Sequence, residues 1–374
     1  MGDFRSEIEQ GLKALANRDL AKAVGHLWQA AKSAPAAEMP WLPLGNAELG
    51  LGNKPAAEHA IDRQLELAPR DVGALLLKGW LREQAKDARA AVSFYRAALN
   101  QAALSGVPDA LSSLHGHAAA FAQQANDNFE SYLLSRMGRD LSPTMVEAFE
   151  LLTGKRQLYL QEPSVFYYPG LPQKRFYDPG DFPWFEPVLA LLPQMQAELT
   201  SVMESRADRF SPYVQRTQHR PAPNNPLLEN EAWTAFHFWR DGELVEDNAT
   251  LCPATTKALS FVPMPDIPGR APNAHWSRLL PGAHITPHTG MLNTRLICHV
   301  PILTAPNCWL RVGSETREWI DGVPLVFDDS INHEAKNEGK QERVVLLFEI
   351  WRPEIDIADR EAIGNIFQAI GEYE

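Results

Sequence analysis

The sequence predicts an α+β multidomain protein, an N-terminal all-α repeat followed by a C-terminal β-rich domain. Three observations predict it: a 34-residue register through the first hundred residues, a turn to Pro, Gly and aromatics at about residue 158, and short β-like runs separated by turn residues from about residue 230. With 374 residues the chain can bury two or three separate cores. A hydrophobic content of 45% and a charged content of 22% are ordinary globular values, which exclude wholesale disorder.

The repeat comes first. The segments AKAVGHLWQAAKSAP (21–35) and PAAEHAIDRQLELAP (55–69) both end in Ala-Pro, and RAAVSFYRAALNQAA (89–103) continues the phase. Ala23, Ala57 and Ala91 recur at steps of 34, as do Leu27, Ile61 and Tyr95. In the preceding helices Trp41, Leu44 and Gly45 of one copy answer to Leu75 and Gly79 of the next. An ordinary amphipathic helix gives an Ala/Leu stripe but not this register. The pattern resembles the tetratricopeptide repeat, in which small residues let paired helices approach and a proline ends the second. Such stacks commonly hold a peptide or protein segment; a packing or dimerisation scaffold is the alternative. Residues 109–137 and 142–155 also read as helices, with Ser142-Pro143 as a start signal. The expected domains are therefore residues 1–105 (repeats), 106–158 (capping or linking helices) and 159–374 (the β-rich domain).

Segment 161–187 reads as an ordered loop entering the second domain, and one helix follows over 188–203, broken by Pro193. The later runs AWTAFHFW, AHWSRLL, TRLICHVPIL, CWLRVG, VPLVFDD and RVVLLFEIWR have the spacing of a β sandwich or barrel, with a jelly roll as the expected form.

Charge and targeting signals narrow the partners. A net charge of −12 without clustered Lys and Arg argues against nucleic acid. No run of 18 apolar residues spans a membrane, and the N-terminus lacks the apolar core of a signal peptide. Gly2 and Ser6 match the loose myristoylation pattern, which arises often by chance. Three cysteines in so long a chain suggest no disulfide framework, so a cytoplasmic location is expected.

The chemistry lies in the β half. His284 and His288 are four apart, but Pro287 and the β-branched surroundings argue against a helix, leaving one of them as a metal candidate. His333, in FDDSINHEAKNE, is the other; two histidines from different strands suit non-haem iron. Arg295, Ile297 and His299 share one strand face by alternation. Arg343, ten residues after His333, would project into the barrel, where a guanidinium is costly unless an anion pairs with it. A dicarboxylate co-substrate would meet that need.

Together HTG…N.RL..H, FDDS..HE and RVVLLFEIWRPE resemble the aspartyl/asparaginyl β-hydroxylases over roughly residues 160–355, and YYPGLP near their start also fits. The resemblance implies a double-stranded β-helix (a cupin-like jelly roll), iron(II) and 2-oxoglutarate, and a dioxygenase reaction that hydroxylates the β-carbon of an aspartyl or asparaginyl residue. It implies His288 and His333 as the metal ligands, with Gly290 where the usual facial triad has an acid. It implies Arg343 and Ser277 at the distal carboxylate of 2-oxoglutarate, His299 near its other carboxylate, and Trp233 beside the active site. Arg295 is the candidate for the substrate carboxylate, although a second arginine of animal members is Ile297 here. Plainer roles compete with some of these. Trp233 reads equally as core and Ser277 as an ordinary strand serine, while Asp328 and Asp329 read as turn caps or as acceptors behind His333, with Arg295 a partner for one of them. The expected substrate is a peptide, a protein or a carrier-tethered aspartyl group, with dioxygen as co-reactant. The competing functions are halogenation of a tethered substrate, with chloride at the open place by Gly290, and a non-catalytic peptide-binding repeat protein with a relic barrel.

Overall fold

The computed structural model describes residues 4–138, 140–216 and 221–373. Gly2, on which the myristoylation pattern rests, lies outside them. Two compact units divide between Phe149 and Glu150, nine residues before the change in composition near 158.

In the first unit, helices pack as consecutive pairs: α1 (Phe4–Ala16) with α2 (Leu20–Ala31), α3 (Trp41–Gly50) with α4 (Lys54–Leu67), and α5 (Val72–Gln84) with α6 (Ala88–Ser105). The 34-residue register is a packing rule. Ala23, Ala57, Ala91, Leu27, Ile61 and Tyr95 are all fully buried. Opposite them stand Gly11, Gly45 and Gly79, again 34 apart. A Cβ at Gly11 would lie 2.7 Å from Leu27, one at Gly45 2.9 Å from Ile61, and one at Gly79 2.6 Å from the Tyr95 ring. Each glycine therefore sets how closely its helix pair can approach. The turns follow the same step: Arg18, Gly52 and Lys86 adopt positive φ. Asp19 and Asp87, just after two of them, cap α2 and α6 by accepting from the backbone N–H three residues on. The series is completed by α7 (Ser112–Arg136), packed on α6, and α8 (Pro143–Thr153), which crosses the unit boundary.

Among the described residues, the second unit has twelve strands: β1 (Phe176–Tyr177), β2 (Ser211–Pro212), β3 (Trp233–Arg240), β4 (Glu243–Leu244), β5 (Ala274–Leu279), β6 (His284–His288), β7 (Arg295–Leu303), β8 (Cys308–Val312), β9 (Glu315–Glu318), β10 (Leu325–Phe327), β11 (His333–Asn337) and β12 (Arg343–Trp351). The major sheet runs β1-β10-β7-β12-β5-β3-β2, with β4 beside β3; the minor sheet runs β6-β11-β8-β9. All the pairings of these strands are antiparallel. From β5 to β12 the chain alternates between the two sheets, apart from the β8–β9 pair within the minor sheet, which makes the unit a double-stranded β-helix. Helices α9 (Phe185–Ala190) and α10 (Leu192–Ser205), divided just before Pro193, cover the outer face of the major sheet over a core containing Met195, Leu199, Trp276, Cys298 and Phe348. Three helices were not expected from the sequence: α11 (Glu246–Leu251), α12 (Pro253–Leu259) and α13 (Ile357–Tyr373). Between the sheets lies a second core of Leu279, Ile285, Ile297, Leu310, Val312, Trp319, Phe327 and Val345. The polar residues of the site interrupt this inner core.

Candidate metal and co-substrate site

Strands β6 and β11 bring the two candidate ligands together. His333 opens β11 rather than lying in the loop before it, and it pairs in register with His288. Their rings are 4.1 Å apart, centroid to centroid. Each Nδ1 meets a backbone carbonyl, His288 that of Thr286 at 2.8 Å and His333 that of Ile331 at 3.1 Å. A carbonyl only accepts, so both Nδ1 atoms carry the proton and both Nε2 lone pairs remain for a metal. Burial pushes the His333 pKa down to about 3, with His288 as the next cause, and burial also lowers that of His288, which sits at the rim with its outer side exposed. Two neutral imidazoles can serve as ligands to a transition metal. His284 is occupied elsewhere, bonded to Glu334 at 2.7 Å. Among the described residues, no cluster of three or more His, Cys, Asp or Glu could hold a metal.

Gly290 is closed to a side chain. A Cβ there would stand 2.7 Å from Asp329 Oδ1 and closer still to the other carboxyl atoms, while Gly290 N donates to Asp329 O at 2.7 Å. The carboxylate of Asp329 fills the space where an acid at 290 would begin. Arg295 holds that carboxylate at 3.3 Å and also pairs with Glu349. Asp328 does something different: with Arg352, Gln161 and Ser330 around it, it is fully buried and braces the turn before His333.

The neighbouring interior is shaped for an anion. Arg343 is 1% exposed, yet among the described residues no carboxylate pairs with it. Its Nη1 donates to Ser277 O at 3.0 Å and Oγ at 3.4 Å, its guanidinium lies 4.4 Å from the Trp319 ring centre, and its Nε has no partner. Burial lowers its pKa to about 10, the expected response of a cation without a counter-charge. Ser277 Oγ also accepts from Trp233 Nε1 at 3.1 Å, which leaves its own proton free to donate. His299 Nδ1 accepts from Trp319 Nε1 at 3.2 Å, so its proton sits on Nε2, buried and unpartnered. Arg343 Nε, the Ser277 hydroxyl proton and His299 Nε2–H thus lack an acceptor among the described residues of this interior. Trp233 is both core and site wall, its ring stacked 4.0 Å from Tyr213. Sequence reasoning missed Trp319, Glu349, Tyr213, His237 and His275. Alternation would have found His275, two residues before Ser277 on β5, and Glu349, six after Arg343 on β12.

The domain is a double-stranded β-helix that brings His288 and His333 together beside a buried arginine. Residues 191–353 match the model of the aspartyl/asparaginyl beta-hydroxylase family. The chain is 33% identical over 211 residues to the aspartate beta-hydroxylase domain-containing protein 2 of Xenopus tropicalis, covering 56% of this chain and 55% of that protein. It is 31% identical over 142 residues to the human aspartyl/asparaginyl beta-hydroxylase, covering 37% and 18%. It spans about half the length of the first of these. Among solved structures, the Sgt2 TPR domain of Aspergillus fumigatus is similar at 19% identity and a TM-score of 0.29, over 38% of this chain and 91% of that one. The Cnp3 cupin domain of Schizosaccharomyces pombe is similar at 12% identity and a TM-score of 0.21, over 25% and 63%.

Proposed function

We propose that this protein is an iron(II)- and 2-oxoglutarate-dependent dioxygenase that hydroxylates the β-carbon of an aspartyl or asparaginyl residue in a peptide, protein or carrier-tethered substrate. The observation that carries the reading is Arg343, a buried guanidinium without a carboxylate, in the same barrel as two neutral imidazoles with free Nε2 atoms. His288 and His333 would hold the metal. Arg343 and Ser277 would bind the distal carboxylate of 2-oxoglutarate, and His299 Nε2–H would donate to its other end. When bound, iron and 2-oxoglutarate supply the oxidant from dioxygen, releasing succinate and carbon dioxide as hydroxyl enters a C–H bond. This chain's residues bind, orient and exclude water. Trp233, Trp319 and Phe327 form apolar walls around the donors, so charge-assisted bonds there are strong. The helical repeats would engage the segment that bears the reacting residue.

Halogenation fits less well. The place at Gly290 where a halide would sit is filled by the Asp329 carboxylate, which would repel it. The proposal is tested by anaerobic titration of the purified chain with iron(II) and then 2-oxoglutarate. A visible metal-to-ligand charge-transfer band should grow with both present and vanish in His333→Ala. A chain that gives no band, or a band that survives in His333→Ala, contradicts the reading.

A further inference from the structure

Beyond the co-substrate donors, the barrel interior holds polar groups with no assigned purpose. On the inward face of β5, His275 is 3% exposed, and neither of its ring nitrogens has a partner. It pairs in register with His237 of β3, their rings are 5.1 Å apart, and the Nδ1 of His237 is also buried and unpartnered. The Tyr213 ring lies 5.3 Å from His275. His275 shares the inward face of β5 with Ser277, two residues on, and both are buried.

Charge in this interior is unevenly distributed. Arg295, the cation nearest the Asp329 carboxylate, already faces two acids, Asp329 and Glu349, and Glu349 is itself 3% exposed. Position 297, next inward on the same face of β7, is an isoleucine in the apolar core. Once 2-oxoglutarate occupies Arg343, neither Arg295 nor Arg343 is left uncompensated for a substrate carboxylate. Burying an unpaired carboxylate beside an existing excess of acid is strongly unfavourable.

We propose that the group admitted beside His275 is an uncharged carboxamide, an asparaginyl-type side chain, in preference to a carboxylate. This rests on the proposed function, since it assigns Arg343 to the co-substrate. A neutral imidazole offers one donor and one acceptor, and an amide offers an acceptor oxygen and two donor hydrogens, so the two match. A carboxylate only accepts, and it would leave an imidazole lone pair facing negative charge. Burial favours the neutral rings, lowering the pKa of His237 to about 4 and holding that of His275 well below its usual value.

The test uses two probes that differ only at this group, the N-acetyl methylamides of asparagine and of aspartate. The full chain is labelled at the histidine ring nitrogens and titrated with each probe, with and without iron(II) and 2-oxoglutarate under anaerobic conditions; His275→Leu identifies the His275 signals. The amide should shift those signals at a concentration on the order of tenfold or more below that of the acid. By calorimetry, His275→Leu should weaken amide binding to the level of the acid, and Ile297→Arg, which adds the missing counter-charge, should move the preference to the acid. Equal binding, a preference for the acid, or signals that neither probe disturbs overturns the proposal. Failure of 2-oxoglutarate to bind would instead sink the proposed function, and the cofactor-free titration would still read the amide-to-acid ratio at His275.

Discussion

Gly290→Asp would restore the acid of the usual facial triad, and the structure predicts that the chain cannot accept it. The new Cβ would fall within 2.7 Å of the Asp329 carboxyl atoms, so that carboxylate must leave its place. Moving it breaks the 3.3 Å pair with Arg295 and sets a second carboxylate in a nearly buried position, for Asp329 is only 7% exposed. Breaking a buried pair costs about 3–5 kcal/mol, and the overpacking component alone, isolated in Gly290→Ala, about 1–3 kcal/mol. At roughly 2–4 °C per kcal/mol for a domain of this size, Gly290→Asp should lower the melting temperature of the metal-free β-rich unit by about 6–20 °C. The assay is thermal unfolding followed by circular dichroism. Gly290→Asp combined with Asp329→Gly, which moves the acid from the turn before β11 to the segment after β6, should recover part of the loss. A melting temperature for Gly290→Asp within about 1 °C of wild type would refute the reasoning, because that carboxylate would then be free to move.

In the helical unit, Gly79→Ala should cost about 1–3 kcal/mol by forcing apart α5 and α6 against the Tyr95 ring, as read by urea unfolding of the chain. Acid should destabilise the β-rich unit in a defined window. Burial holds the folded pKa of His237 at about 4, below its ordinary 6.5, so the unfolded chain binds the proton first and stability falls as pH drops from about 6.5 to 4. His237→Gln should flatten that part of the pH profile, and an unchanged slope would show that another group is responsible.

The repeat was legible because its signal is local: each buried Ala and its facing glycine recur at a fixed step, so one chain segment predicts the next. The β half was legible through His288, His333, Arg343 and Ser277, whose residue types are costly in a barrel unless they have a purpose. The relation between Gly290 and Asp329 was not legible, since it depends on a contact across 39 residues that only the register of β6 with β11 creates. The double pairing of Arg295 with Asp329 and Glu349 was only partly foreseen, because Glu349 lies on another strand and looks like any charged residue near a strand end. Helices α11, α12 and α13 went unread for a different reason. The first two are six and seven residues long, too short for a periodic stripe, and α13 buries only Ile363 and Phe367.

The measurement that bears most directly on the central claim is the affinity of the iron-loaded chain for 2-oxoglutarate in wild type and Arg343→Met. The guanidinium is fully enclosed and lacks a carboxylate, so removing it should strand the carboxylate it is proposed to hold, at a cost of about 2–5 kcal/mol. That corresponds to a loss of affinity of roughly 30-fold to several thousand-fold. Iron(II) should still bind, because His288 and His333 are untouched, and Arg343→Lys should restore only part of the loss, since an ammonium lacks the planar fork. Unchanged affinity for 2-oxoglutarate in Arg343→Met would contradict the account.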